Sequence, residues 1–165
     1  MKRISVIITL LSVVLLLSCK EDYNLFPDKY NRILSIKNSG VRELRSGNTV
    51  KEYRDSILVL KGGGNPDGDA FARIEVMSLG NVCETFGYDE SSVEIIDKAS
   101  YSIGDGSDVS LEGNARSEYI PVVFYPESIY RQGLKAQGKT MILPVALRSE
   151  TDTVNVSSSM VLYRF

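Results

Sequence analysis

The chain has 165 residues, with 19 Lys and Arg against 21 Asp and Glu, two cysteines, nine tyrosines, and neither histidine nor tryptophan. The lack of histidine removes Ser-His and Cys-His nucleophilic arrangements, the commonest general base near neutral pH, and the usual zinc sites. The mildly acidic balance, with no cluster of Lys and Arg, argues against a nucleic-acid footprint, and no G-x-x-x-x-G-K-[ST] loop is present to cradle phosphate.

Residues 1–19 read "MKRISVIITLLSVVLLLSC". Lys2 and Arg3 form a positive start and Ile4 to Leu17 an apolar stretch, which is the pattern of a signal peptide. The stretch is shorter than the ~20 apolar residues that a permanent span needs. Leu16, Leu17 and Ser18 ahead of Cys19 resemble the bacterial lipobox. In that chemistry the Cys19 sulfur takes a diacylglycerol thioether, and cleavage before it frees an α-amine for further acylation. Each buried methylene then contributes about 0.8 kcal/mol of membrane affinity, so several chains anchor firmly. The "KED" that follows resembles the short export signal of Bacteroidetes surface lipoproteins. The expected location is therefore the outer membrane, lipid-anchored and facing outward; a plain signal peptide with a chance cysteine is the alternative. Loss of Lys2 and Arg3 with the leader makes the mature chain more acidic than the −2 of the whole.

The expected organisation is a leader over 1–18, a lipidated cysteine and tether over 19–31, and one folded domain over 32–165. Short runs of Val, Ile, Tyr and Phe broken by Gly, Asn, Asp and Ser predict strands near 32–37, 41–45, 50–60, 70–79, 92–96, 99–103, 108–111, 117–125, 139–148 and 156–164. In "AFARIEVM", Ala70, Ala72, Ile74 and Val76 share one face, with Phe71, Arg73, Glu75 and Met77 on the other. Pro121 and Pro144 inside apolar runs predict an edge or a bulge at each. Pro126 opens the one helical candidate, "PESIYRQGLKAQGK". Together these predict an all-β, immunoglobulin-like antiparallel sandwich with at most one short helix.

Few residues offer chemistry. Asn65, Asp67 and Asp69 in "NPDGDAF" alternate as calcium loops do, although Ala70 stands where the EF-hand glycine belongs and hairpin turns use the same residues. Asp67 and Asp69 are the candidate ligands for Ca2+, and no other cofactor is expected. Tyr88, Tyr125 and Tyr130, flanked by turn signals, are candidate sugar platforms; packing into the core is the competing reading for each. With Cys19 committed to lipid, Cys83 has no internal partner and reads as a small buried hydrophobe. Carboxylates are scattered without a facing pair, so no hydrolase and no enzyme is expected.

Six pieces in order, "YNRILSIKNSG", "VREL", "DSILVLKGGGNPDGDAFARIEV", "ASYSIGDGSDVSLEGN", "TMILPVAL" and "VNVSSSMVLY", resemble the N-terminal domain of unknown function of Bacteroidetes surface lipoproteins over about residues 30–165. The resemblance implies a β-sandwich, lipid anchoring and a place in gene clusters for glycan utilisation. Members commonly carry a second domain, a glycoside hydrolase or a lectin-like sandwich, whereas this sequence ends at Phe165. No agreed catalytic residues exist to carry over. The expected function is a non-catalytic accessory module for glycan capture, with the membrane and polysaccharide as partners. The alternative is a spacer or docking module for other surface lipoproteins, which binds no sugar.

Overall fold

Alternation of apolar and polar residues between glycine-rich turns sets the chain into two stacked sheets. The computed structural model describes residues 27–44, 50–104 and 107–165, so Cys19 and the leader lie outside the described residues. In chain order the elements are β1 (Ile33–Lys37), β2 (Gly40–Glu43), β3 (Tyr53–Gly62), β4 (Ala70–Val76), α1 (Leu79–Phe86), β5 (Val93–Ile95), β6 (Tyr101–Ile103), β7 (Asp108–Leu111), β8 (Ser117–Phe124), α2 (Pro126–Lys135), β9 (Thr140–Arg148), β10 (Thr153–Val154) and β11 (Met160–Arg164). The first sheet runs β10-β1-β3-β8-β6, and the second runs β2-β11-β9-β4-β7 with β5 also on β9. The all-β sandwich expected from the sequence is the observed architecture. Most pairings are antiparallel; β1 with β10, β2 with β11 and β5 with β9 are parallel.

Alternate residues of both sheets meet between them. Leu34, Ile57, Val59, Val122 and Phe124 from the first sheet pack against Ile74, Leu143, Val145, Leu147, Val161 and Tyr163 from the second. Burying each such side chain is worth roughly 1.5–3 kcal/mol relative to exposure. Phe124 meets the Tyr163 and Phe165 rings edge-on at centroid distances of 4.9 and 5.2 Å. Arg42 on β2 bridges the sheets: its Nη1 donates to Asp55 at 2.8 Å and to the Tyr163 hydroxyl at 3.3 Å.

Helix content departs from the expectation, for α1 is a second helix. Ser78 caps it by accepting from the Asn81 amide at 3.4 Å, and Gly87 ends it at φ 72°. Its Leu79, Val82, Cys83 and Phe86 lie at helical spacing and cover the outer side of the second sheet, over Ile142, Ala146 and Leu162. That layer explains why "TMILPVAL" is apolar without interruption: β9 is buried on both faces.

The prolines correct another expectation. Both β8 and β9 are interior strands, not edges. Pro144 lies opposite Leu162 of β11, and its other side falls in a gap between neighbours. There β4 covers β9 from Val145 onward and β5 covers it up to Ile142. The Met77 amide closes the gap by donating to the Pro144 carbonyl at 3.0 Å. Pro121 likewise lies just past the end of β6, where Gly104 donates to its carbonyl at 2.8 Å. A missing N–H costs nothing at a position where the partner strand has ended.

The predicted last strand is shorter than 156–164. Asn155 caps a 3-10 turn over Val156–Ser158, and β11 begins at Met160.

Candidate functional site

The three tyrosines do not form one platform. Tyr88 follows α1, is half-buried against that helix's cluster, and its hydroxyl accepts from Arg164 at 3.4 Å. Tyr125 is half-buried ahead of α2, with its amide donating to the Ser100 carbonyl at 2.9 Å. Tyr130, on α2, is 48% exposed. Among the described residues no ring contact joins any of the three.

The acidic loop carries its own cations. Arg116 holds Asp67 at 2.6 Å and the Pro66 carbonyl at 2.7 Å, and Asp69 accepts from the Gly113 amide at 2.8 Å. Beneath them Lys61, only 3% exposed, donates from Nζ to the carbonyls of Gly68, Leu111 and Gly113 at 2.6, 2.9 and 2.7 Å. A buried ammonium ringed by carbonyls takes oxygen atoms that a calcium ion would need. Among the described residues no group of three or more Asp, Glu or Cys is placed to hold a metal.

Sequence reasoning passed over the outer face of the second sheet. Register sets Asp108 of β7, Arg73 of β4 and Arg148 of β9 in one row across three strands. The next row places Ser110 beside Phe71, with Glu150 beyond the end of β9. These six side chains line an open cleft of about 510 Å³ in which the Phe71 ring is 51% exposed. Alternation had already put Phe71, Arg73 and Glu75 together on this side. What it could not say is that this side faces solvent.

Phe71 is held on both of its backbone groups. Its amide donates to Asp152 Oδ2 at 3.2 Å, and its carbonyl accepts from Ser149 Oγ at 2.6 Å. The Asp152 side chain is 1% exposed and paired with Arg32 at 2.5 Å, and Thr151 donates to it at 2.8 Å. The loop after β9 thus fixes the ring's position by a chain of charge-assisted bonds.

The charges in the cleft are unevenly matched. Arg73 pairs with Glu150 at 3.0 Å and Glu75 at 3.5 Å. Arg148 lies directly across from Arg73, and among the described residues neither its guanidinium nor the Asp108 carboxylate makes an ion pair or hydrogen bond. Like charges directly opposite on a sheet cost up to about 1 kcal/mol. An exposed guanidinium and carboxylate two strand spacings apart, about 10 Å, leave donors and acceptors open to a ligand. A second groove of about 490 Å³ is lined by Arg148 and Ser149 together with Asn81, Glu84 and Thr85 of α1.

No family model matches the chain, and no curated protein matches it. Solved structures do. A candidate carbohydrate-binding protein from Bacteroides ovatus matches with a TM-score of 0.59 and 12% identity, over 80% of this chain and 36% of its own. A multidomain protein including DUF1735 from the same organism matches with a TM-score of 0.52 and 15% identity, over 79% and 43%. Bacteroides thetaiotamicron EndoBT-3987, solved with a Man5GlcNAc product, matches with a TM-score of 0.51 and 14% identity, over 79% and 30%. Identities this low show a shared fold. The chain spans between about a third and a half of each of these proteins.

Proposed function

We propose that this chain is a non-catalytic, lipid-anchored surface module that holds saccharide in the Phe71 cleft as part of a glycan-capture system. One observation carries the reading. A half-exposed aromatic ring, clamped by its backbone, stands among serine hydroxyls and a guanidinium and a carboxylate that have no side-chain partner among the described residues. A sugar ring offers an apolar C–H face to stack on phenylalanine and hydroxyls that both donate and accept. The carbohydrate-related descriptions of two fold neighbours agree with that chemistry. Cys19 supplies the anchor, with the outer membrane surface as its location.

The test is a glycan array probed with the full-length chain in a detergent that contains no sugar. Binding that Phe71→Ala abolishes is expected. Silence across the array would refute the saccharide reading and leave docking, for which Tyr119, 67% exposed on the outer face of the first sheet, is the surface to examine. Radiolabelled fatty acid should enter the wild-type chain and not Cys19→Ser; a soluble, unlabelled periplasmic protein would refute the anchor.

A further inference from the structure

Resting on the saccharide reading of the Phe71 cleft, the geometry points to a neutral, extended glycan as the ligand and away from an acidic one. Two guanidinium groups, Arg73 and Arg148, face three carboxylates, Glu75, Asp108 and Glu150. Arg73 is already engaged by two of those carboxylates. A uronic acid or sulfate group seated on Arg148 would therefore enter a site whose surplus charge is negative, and would lose its hydration to do so. Hydroxyls meet no such penalty. One hydroxyl can donate to Asp108 while others on the same chain accept from the Arg148 fork, satisfying both groups together.

The second groove gives the ligand its length. Arg148 and Ser149 line both grooves, which places the two side by side at those residues. A ligand stacked on Phe71 at one end continues past Arg148 towards the Asn81 amide and Thr85 hydroxyl of α1. An internal segment of a polysaccharide fills that path, whereas one sugar unit fills only the Phe71 end. The exposed ends of Arg148, Asn81 and Thr85 sit on surfaces whose core contacts lie beneath them, so truncating them leaves the fold intact.

The experiment is titration calorimetry of the full-length chain in a sugar-free detergent, with neutral oligosaccharides of increasing length beside uronic-acid and sulfated chains. Neutral chains should bind, tighten with length until both grooves are filled, and change less than about twofold between low and high salt, since no ion pair forms. Arg148→Ala should weaken binding by roughly tenfold or more through loss of charge-assisted bonds, and Asn81→Ala should weaken long chains while sparing short ones. Preference for acidic chains, with affinity lost at high salt, would overturn the neutral-ligand inference and leave saccharide binding standing. Affinity independent of length would overturn the extended ligand. Binding of no glycan would remove the cleft reading itself.

Discussion

Replacing Lys61 by methionine keeps the side-chain length and removes the ammonium from the three carbonyls of Gly68, Leu111 and Gly113. Hydrogen bonds to a charged group are worth about 1.5–3 kcal/mol each. Against that gross loss stands the cost of burying an ammonium, several kcal/mol, which methionine avoids. The partners also differ in exposure. The bonds to Gly68 and Gly113 are only partly buried, so water can reach those carbonyls, while the bond to Leu111 is buried and leaves an orphaned acceptor. The net expectation is destabilisation of about 2–4 kcal/mol. Urea unfolding followed by circular dichroism reads it as a midpoint lowered by roughly 1–2 M, for a slope near 2 kcal/mol/M. Amide exchange at 63–69 and 112–114 should accelerate at the same time. A Lys61→Met protein as stable as wild type, within about 0.5 kcal/mol, would refute the view that this cation holds the two loops together.

Gly63 sits at φ 115°, and a Cβ there would lie 2.4 Å from the Asn31 carbonyl oxygen and 2.6 Å from that of Tyr30. Gly63→Ala should therefore cost about 2 kcal/mol or more and release residues 27–32 to limited proteolysis. The Cys83 thiol is held above its ordinary range, first by desolvation and then by the Glu90 and Asp89 carboxylates. Its thiolate appears only at higher pH, so alkylation should be slow at neutral pH and quicken above the usual thiol range; fast neutral labelling would contradict this. Because Arg116 and Lys61 already occupy the acidic loop, adding calcium or a chelator should leave the melting temperature unchanged, and a calcium-dependent rise would assign Asp67 and Asp69 to a metal after all. Phe71→Ala, on an exposed face, should change stability by no more than about 0.5 kcal/mol while abolishing saccharide binding.

The sequence determined the strands, because inside-outside alternation and turn-forming glycines are local properties of the chain. All ten of its expected strands overlap observed ones, the last beginning at Met160 where 156 was expected, and the expected helix at Pro126 is α2. It also contained the signal for α1, with Ser78 as cap, Leu79, Val82, Cys83 and Phe86 at helical spacing, and Gly87 as stop. That signal was masked by the apolar strand running directly into it and by Gly80 and Asn81, which are poor helix formers. The candidate site was decided by tertiary structure. Phe71, Asp108 and Arg148 are far apart in the chain and meet only because β4 lies between β7 and β9 in one register. A shift of one residue would turn each of these side chains to the other face. The tolerance of Pro144 in a central strand was decided in the same way, by where β4 stops and β5 begins. Alternation tells which residues share a side of a strand; only pairing between distant strands tells which sides meet each other, and which meet water.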